Sequence, residues 1–342
     1  MNTIELSFCI PTYNREQSVS RLVTDILLCD DPGIEIVVLD NGSTDDTLSV
    51  LHAIKDDRLS IYSNGENKGA LYNMVNVLNK GKGQYLVYST DQDYIDSNKI
   101  KQFKSFLIQH AGLACGFCEF DSLPEEKPPE LFPKGYESIK KIAYKGRHPT
   151  GYFFNTKYLE SIKIVERFSD YDFVDLFPLE FVFAELCLMG NGAIYHESVF
   201  KPETGVNVVT HKSSTTNGRS KKAFFSPEAR LKLAVNYSKH INTLQIEPRE
   251  RDLLMLDIFI AGLAAATIGY KSVLRNNDLC IHYFMDTRNI KTKELIAIGY
   301  NFYQRYTDRK LGLCGNNFFK LFKFKTALLF GLLLKALRKL IK

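Results

Sequence analysis

Asp91 and Asp93 are the residues of this chain best suited to chemistry, two carboxylates one residue apart where the apolar run Leu86-Val-Tyr88 gives way to Ser-Thr-Asp-Gln-Asp-Tyr94. Hard cations such as Mg2+ and Mn2+ take oxygen ligands and keep open positions for phosphate oxygens. A carboxylate pair at the end of a strand therefore suits a cation that bridges to a nucleoside diphosphate. The same triplet, taken alone, also reads as a solvated turn whose side chains satisfy nearby backbone N–H groups. What surrounds it decides its meaning.

The flanking sequence supplies elements that would hold the pair. Residues 4–10 (IELSFCI) read as a strand stopped by Pro11-Thr-Tyr-Asn14. Val19, Leu22, Val23, Ile26 and Leu27 then recur at helical spacing up to a break at Asp31-Pro-Gly33. A second strand, Ile34 to Leu39, runs into Asp40-Asn-Gly-Ser-Thr44, where Ser43 or Thr44 can cap a helix with Leu48, Leu51 and Ile54 on its apolar face. Strand Leu59 to Tyr62, the loop Ser63 to Gly69, a helix around Met74, Val75 and Leu78, and strand Tyr85 to Tyr88 repeat the pattern. Such alternation predicts βαβ units and a parallel sheet. Ligands of these sheets bind outside the carboxyl ends of the strands, and PTYNR, DNGSTDD and STDQD all fall there.

In order and spacing, PTYNR, Asp40-Asn-Gly-Ser-Thr-Asp45, Asn67-Lys-Gly69 and Asp91-Gln-Asp93 resemble the inverting family 2 glycosyltransferases of the GT-A fold, among them those that build bacterial O-antigen and capsule. The match is close over residues 4–97 and loose over 148–215. It implies an α/β fold class: a GT-A, Rossmann-like nucleotide-binding sheet with helices on both faces, then a helical C-terminal module and a basic amphipathic tail helix. The expected boundaries are a catalytic domain over 1–225 (1–97 for the nucleotide, 98–225 for the acceptor and a mobile loop), a helical module over 226–313 and a membrane-association segment over 314–342.

The resemblance also assigns roles. Asp40 would accept from a uracil N3–H, with Pro11, Thr12 and Tyr13 against the same nucleoside and Asn67 and Lys68 beside it. Asp93 would be the main ligand of Mn2+ or Mg2+, with Asp91 its partner toward the ribose or the ion's outer shell. The cation would neutralise charge on the departing diphosphate. An inverting transfer needs a carboxylate to take the proton of the attacking hydroxyl. The layout Pro178-Leu-Glu-Phe to Gly190, followed by Ala193-Ile-Tyr195, makes Glu180 the first candidate, then Asp175, then Asp172. The family's usual acidic doublet is missing, and Glu180 also reads as a charge placed favourably at a helix start. His148-Pro-Thr-Gly-Tyr-Phe153 resembles the loop beneath the transferred sugar. In the polar stretch 210–222, His211 would add a metal ligand, and Arg219 and Lys221 would face the diphosphate.

Composition narrows the setting. The 342 residues are 45% hydrophobic and 24% charged, as in an ordinary globular protein, and the start MNTIELSF predicts no secretory signal, hence a cytosolic location. Seven cysteines scattered through apolar context fit reduced core thiols, and Cys115-Gly-Phe-Cys118 reads as part of a buried strand. Nine Lys and Arg with no Asp or Glu follow residue 308, so the net +5 leaves residues 1–308 at about −4 by subtraction. That distribution excludes a nucleic-acid groove through the body. Within 316–342, Lys335, Arg338, Lys339 and Lys342 share one helical face and Leu333, Ala336, Leu337, Leu340 and Ile341 the other, as in a helix lying on an anionic membrane.

The expected protein is a metal-dependent transferase on the inner face of the cell membrane. It would move sugar from a UDP-linked donor to a hydroxyl of a lipid-linked saccharide, with its oligomeric state open. Two alternatives stand beside it: a sugar nucleotidyltransferase, which PTYNREQS does not favour because it lacks a Gly-rich triphosphate loop, and a membrane-attached GT-A scaffold that has lost its base.

Overall fold

Strand β1 (Leu6–Thr12) is buried along all but Pro11 and lies between the parallel strands β2 (Ile34–Asp40) and β4 (Tyr85–Tyr88). Runs of Val, Ile and Leu without polar alternation are what a strand covered on both faces requires. The structure is a computed structural model that describes residues 3–119, 127–167, 177–201, 203, 225–282, 285–313 and 320–329. It divides into two units, Met1–Asn217 and Gly218–Lys342.

In the first unit, β3 (Leu59–Ser63) extends the parallel half beyond β2. Helix α1 (Glu16–Leu27) buries Val19, Leu22, Val23 and Ile26 completely against the sheet, each contributing roughly 1.5–3 kcal/mol of apolar burial. Helix α2 (Thr47–Ala53) buries Leu51 and starts without the expected Ser43 or Thr44 cap. Asp46 holds the cap position, and Asp45 Oδ1 accepts from Thr47 N at 3.0 Å instead. Helix α3 (Ala70–Leu78) leads into β4. After the short β5 (Tyr94–Ile95), helix α4 (Ser97–Gln109) is capped by the Asp96 side chain, which accepts from Asn98 N.

The second half of the sheet is mixed in direction, unlike the parallel first half. Strands β6 (Leu113–Cys118) and β9 (Asn191–Tyr195) are parallel to each other, but β8 (Tyr152–Asn155) runs antiparallel between β4 and β6, and β7 (Glu130–Phe132) runs antiparallel at the edge. The order is β3-β2-β1-β4-β8-β6-β9-β7. Strand β8 is apolar and buried on both faces, so its composition resembles a parallel strand while its direction is set by topology. Its reversal brings the loop that precedes it to the edge where β4 and β6 end. Helices α5 (Tyr136–Ile142), α6 (Thr156–Ser161) and α7 (Pro178–Leu186) fill in around this half. Strand β10 (Phe200–Lys201) pairs antiparallel with β5. Cys115 and Cys118 are buried in β6, as the sequence predicts, and Cys115 Sγ sits 3.6 Å from Cys187 Sγ.

The second unit is helical. Pro227–Thr243 is capped by Ser226, and Pro248–Ala264 continues through a wide π turn at Ala265–Gly269 into Tyr270–Arg275. Phe259 packs against Phe302 and Tyr306 of helix Thr292–Tyr306 and against Phe324, with ring centroids 5.7, 5.1 and 4.9 Å apart. Residues 320–329 therefore pack with the rest of the helical unit, and Lys320 pairs with Asp252 at 2.7 Å. The expected module boundary at residue 314 does not interrupt this packing. The apolar run AGLAAATIG is by itself too short to cross a bilayer. The whole helix Pro248–Arg275 is nonetheless long and apolar enough to do so, with one face buried against its neighbours. Residues 330–342, with the basic face of the tail, lie outside the described residues.

Candidate functional site

The parallel register places Thr12 opposite Asp40, so the ends of β1 and β2 arrive side by side. Asp40 is fully buried and shapes the turn that follows: it accepts from Gly42 N at 3.0 Å, from Ser43 N at 3.1 and 3.2 Å, and from Ser63 Oγ at 3.0 Å. Gly42 has φ +74°, and a Cβ there would lie 2.6 Å from the Glu66 backbone, so the turn needs glycine. Among the described residues Asp40 Oδ1 takes only the Ser43 contact, which leaves acceptor capacity on that oxygen. Asn14 joins the first two loops, donating its N–H to Ser43 Oγ at 2.9 Å and accepting from Thr44 N at 2.8 Å.

Four asparagines stitch the third loop into this edge. Asn41 Nδ2 donates to Asn67 Oδ1 and Asn64 Nδ2 donates to Asn41 Oδ1, each at 3.0 Å. Asn64 Nδ2 also reaches Asn73 Oδ1 at 3.0 Å, and Asn73 Nδ2 donates to Leu39 O at 2.9 Å and Thr12 O at 3.4 Å. Asn41 and Asn73 are buried, and the amide nitrogen and oxygen of each are paired, as buried amides require. Sequence reasoning found Asn67 but missed Asn73, whose signal was a polar residue inside the apolar pattern of α3. Lys68 donates its backbone N–H to Asn41 Oδ1 at 3.0 Å, and its exposed ammonium lies 5.3 Å from the Tyr72 ring centroid.

The two carboxylates follow β4. Asp91 Oδ2 accepts from Thr12 Oγ1 at 2.7 Å, joining the first loop to the last. Burial pushes the Asp91 carboxyl up to about 6, against the opposing pull of Arg15, the Thr12 hydroxyl and the Tyr13 backbone. Asp93 is 2% exposed; its Oδ2 accepts from Thr90 and, at 2.5 Å, from Thr150, and its Oδ1 accepts from Glu203 N at 3.3 Å. His148 Nδ1 lies 3.7 Å from Asp93 Oδ2, and burial lowers the pKa of its imidazole. His148 and Thr150 come from the loop before β8, so the reversed strand is what brings them to Asp93. Among the described residues no group of three or more His, Cys, Asp or Glu forms a closed metal cage. Two carboxylates on one edge fit a hard cation that fills its remaining positions with phosphate and water.

Beside the second half of the sheet, Glu180 does not present an open carboxylate. It is fully buried in the first turn of α7 and accepts from Lys145 N at 2.8 Å, Arg147 N at 3.1 Å and Tyr152 Oη at 2.7 Å. Both oxygens are engaged in holding the loop 145–147 and the start of β8. Arg147 lies 3.8 Å over the Phe117 ring. At the ends of β6 and β9, buried His196 stands between Glu119 (3.3 Å) and Glu130 (2.8 Å). Sequence reasoning missed this trio, because its members are far apart in the chain. Asp172, Asp175, His211, Arg219 and Lys221 lie outside the described residues.

Comparison with known proteins agrees with this arrangement. Residues 7–161 match the family described as Glycosyl transferase family 2. The GalNAc(5)-diNAcBac-PP-undecaprenol beta-1,3-glucosyltransferase of Campylobacter jejuni is 27% identical over 231 residues, covering 64% of this chain and 70% of that protein. An uncharacterized glycosyltransferase of Haemophilus influenzae is 27% identical over 127 residues, and the UDP-Glc:alpha-D-GlcNAc-diphosphoundecaprenol beta-1,3-glucosyltransferase WfaP of Escherichia coli is 31% identical over 102 residues. The matches cover 35% and 30% of this chain and span only 51% and 41% of those two proteins. The structure of Staphylococcus aureus TarS 1–349 in complex with UDP-GlcNAc superposes with a TM-score of 0.60 at 15% identity, covering 94% of this chain and 88% of that one. Mannosyltransferase PcManGT from Pyrobaculum calidifontis, in complex with GDP-Man and Mn2+, gives 0.51 at 14% identity over 96% and 88%. At such identities the likeness is one of fold, and it establishes the GT-A architecture.

Proposed function

Since residues 7–161 match the family described as Glycosyl transferase family 2, we propose that the chain is an inverting, metal-dependent glycosyltransferase that moves a sugar from a UDP-linked donor to a hydroxyl of a lipid-linked saccharide. The observation that carries this is the convergence of four loops on one sheet edge, with Thr12 bonded to Asp91, Asn41 to Asn67, and Asn73 to the carbonyls of both Thr12 and Leu39. The Asp40 turn and the Pro11–Tyr13 loop would receive the nucleoside, and Asp91 and Asp93 would hold Mn2+ or Mg2+ at the diphosphate end. When bound, the cation would neutralise charge on the leaving group. The lipid-linked acceptor is supported by the two undecaprenol-linked substrates named among the relatives. A screen of UDP- and GDP-sugars for slow Mn2+-dependent hydrolysis tests the reading, and hydrolysis of none would overturn it.

With Glu180 committed to three hydrogen bonds, the base falls to Asp175, just before α7, and Glu180 becomes the residue that sets the loop beneath the sugar. His211 is proposed as an added metal ligand, with Arg219 and Lys221 on the diphosphate.

The raised Asp91 carboxyl gives a pH dependence. Below about 6 it is neutral and a weak ligand, so Mn2+ affinity falls between pH 7 and pH 5 in calorimetric titration. The fold should not be lost with it. A carboxyl held above its ordinary 3.8 in the folded chain favours folding below that value, and this contribution fades only as pH rises through about 6. Constant Mn2+ affinity from pH 7 to pH 5 would remove Asp91 from the site.

The tail is proposed to lie on the anionic inner face of the membrane. Because Phe324 packs on Phe259, truncation would disturb the helical unit, and charge reversal is the cleaner test. Changing Lys335, Arg338, Lys339 and Lys342 to Glu should abolish sedimentation with vesicles containing anionic lipid. Undiminished binding would shift the attachment elsewhere, the apolar helix Pro248–Arg275 being the next candidate.

A further inference from the structure

Arg21 grows from α1, yet its guanidinium serves the turn that carries the two carboxylates. Nη2 donates to Gln92 O at 2.6 Å and to Asp93 O at 3.2 Å. The guanidinium carbon stands 3.7 Å above the centroid of the Tyr94 ring. Nη1 lies 4.0 Å from Glu203 Oε1, and the backbone N–H of the same Glu203 donates to Asp93 Oδ1 at 3.3 Å. One side chain thus touches three consecutive residues, 92 to 94, and a fourth that itself touches Asp93.

The choice of partners is informative. An arginine beside an aspartate ordinarily forms a forked pair with the carboxylate, which would place a fixed cation where a metal ion should sit. Arg21 takes main-chain carbonyls and an aromatic face instead, leaving the Asp93 carboxylate to the Thr90 and Thr150 hydroxyls, the Glu203 N–H and whatever cation approaches. Its Nε is buried without a hydrogen-bond partner among the described residues, an arrangement that works against stability. A residue kept only for folding would be better satisfied. Elsewhere the turn is tied only lightly along its backbone, by the Asp93 N to Thr90 O contact at 3.4 Å and by the pairing of Tyr94 and Ile95 with β10.

We propose that Arg21 is a positioning residue for the cation site: by holding the carbonyls of Gln92 and Asp93 against the Tyr94 ring, it fixes the direction in which Asp93 presents its carboxylate and so strengthens divalent-cation binding without touching the cation. The inference rests on the metal reading of Asp93 and adds a residue to it. Lysine cannot replace arginine here, since a single ammonium cannot lie flat on the ring while reaching two carbonyls.

The test uses the full chain and Mn2+ alone. Calorimetric titration of wild type, Arg21→Ala, Arg21→Lys, Tyr94→Phe and Asp93→Asn is paired with amide hydrogen exchange over residues 91–95. Both Arg21 variants should raise the Mn2+ dissociation constant at least tenfold and speed exchange in 91–95, while exchange in β1 and β2 stays as in wild type. Tyr94→Phe keeps the ring face and should keep both properties. At saturating Mn2+, kcat should recover to within about threefold, as expected if only binding depends on the orientation. Unchanged Mn2+ affinity in Arg21→Ala, beside its loss in Asp93→Asn, overturns the proposal. If Asp93→Asn also binds Mn2+ as wild type does, the metal reading fails instead, and unaltered exchange in the Arg21 variants would then overturn the positioning role independently. Should Arg21→Ala not fold, Arg21→Lys carries the same comparison.

Discussion

Asp93→Asn should lower kcat/KM for the nucleotide-sugar donor by about 10²–10³-fold, the range seen when one preorganised electrostatic group is removed from a charge-developing site. The substitution keeps the shape and removes the charge. The amide oxygen can still accept from the Glu203 N–H, and the amide nitrogen can donate to a threonine hydroxyl, which accepts as well as donates. The cation loses its main anionic ligand at the same time. Titration of UDP with and without Mn2+ separates the outcomes. Mn2+ should strengthen UDP binding in wild type and leave it unaltered in the variant, while the thermal midpoint moves little. A variant whose UDP affinity still responds to Mn2+ as wild type does would sink the assignment.

The second large effect divides two acidic residues by what they do. Glu180→Ala should destabilise the first unit by roughly 3–5 kcal/mol, as expected when a buried, hydrogen-bonded charge is deleted and its partners remain. Those partners are the N–H groups of Lys145 and Arg147 and the Tyr152 hydroxyl. Asp175→Asn should instead fold normally, bind UDP and Mn2+ as wild type does, and lose turnover by about 10²–10⁴-fold, the usual contribution of a general base. Denaturant melts, UDP titration and turnover on both variants give a two-by-two result. A stable Glu180→Ala chain that binds donor and cannot turn over would return Glu180 to the role of base.

Much of the nucleotide half was legible in the sequence, because its strands and helices follow one another and their apolar periods are clean. Val19, Leu22, Val23 and Ile26 are buried as their spacing predicts, and Asp91 and Asp93 follow β4 as expected. The second half of the sheet was harder for two physical reasons. Strand direction leaves no trace in a run such as Tyr152–Asn155 that is covered on both faces, so the antiparallel insertion was invisible. Side chains that meet across long separations, as Arg21 meets Gln92 and His148 meets Asp93, carry no local pattern. The same limit explains Glu180. Its place at the start of a helix was legible, with Pro178 in the first turn, but the three donors that close around it come from residues 145 to 152.

The reversed strand also works as a ruler. Only β8 separates β4 from β6, and Phe153 pairs with Val87 on one side and Gly116 on the other. At about 4.8 Å per strand spacing, the two ends lie about 10 Å apart. The sheet thereby holds the loop with Asp93, after β4, one strand spacing from the loop with His148 and Thr150, before β8.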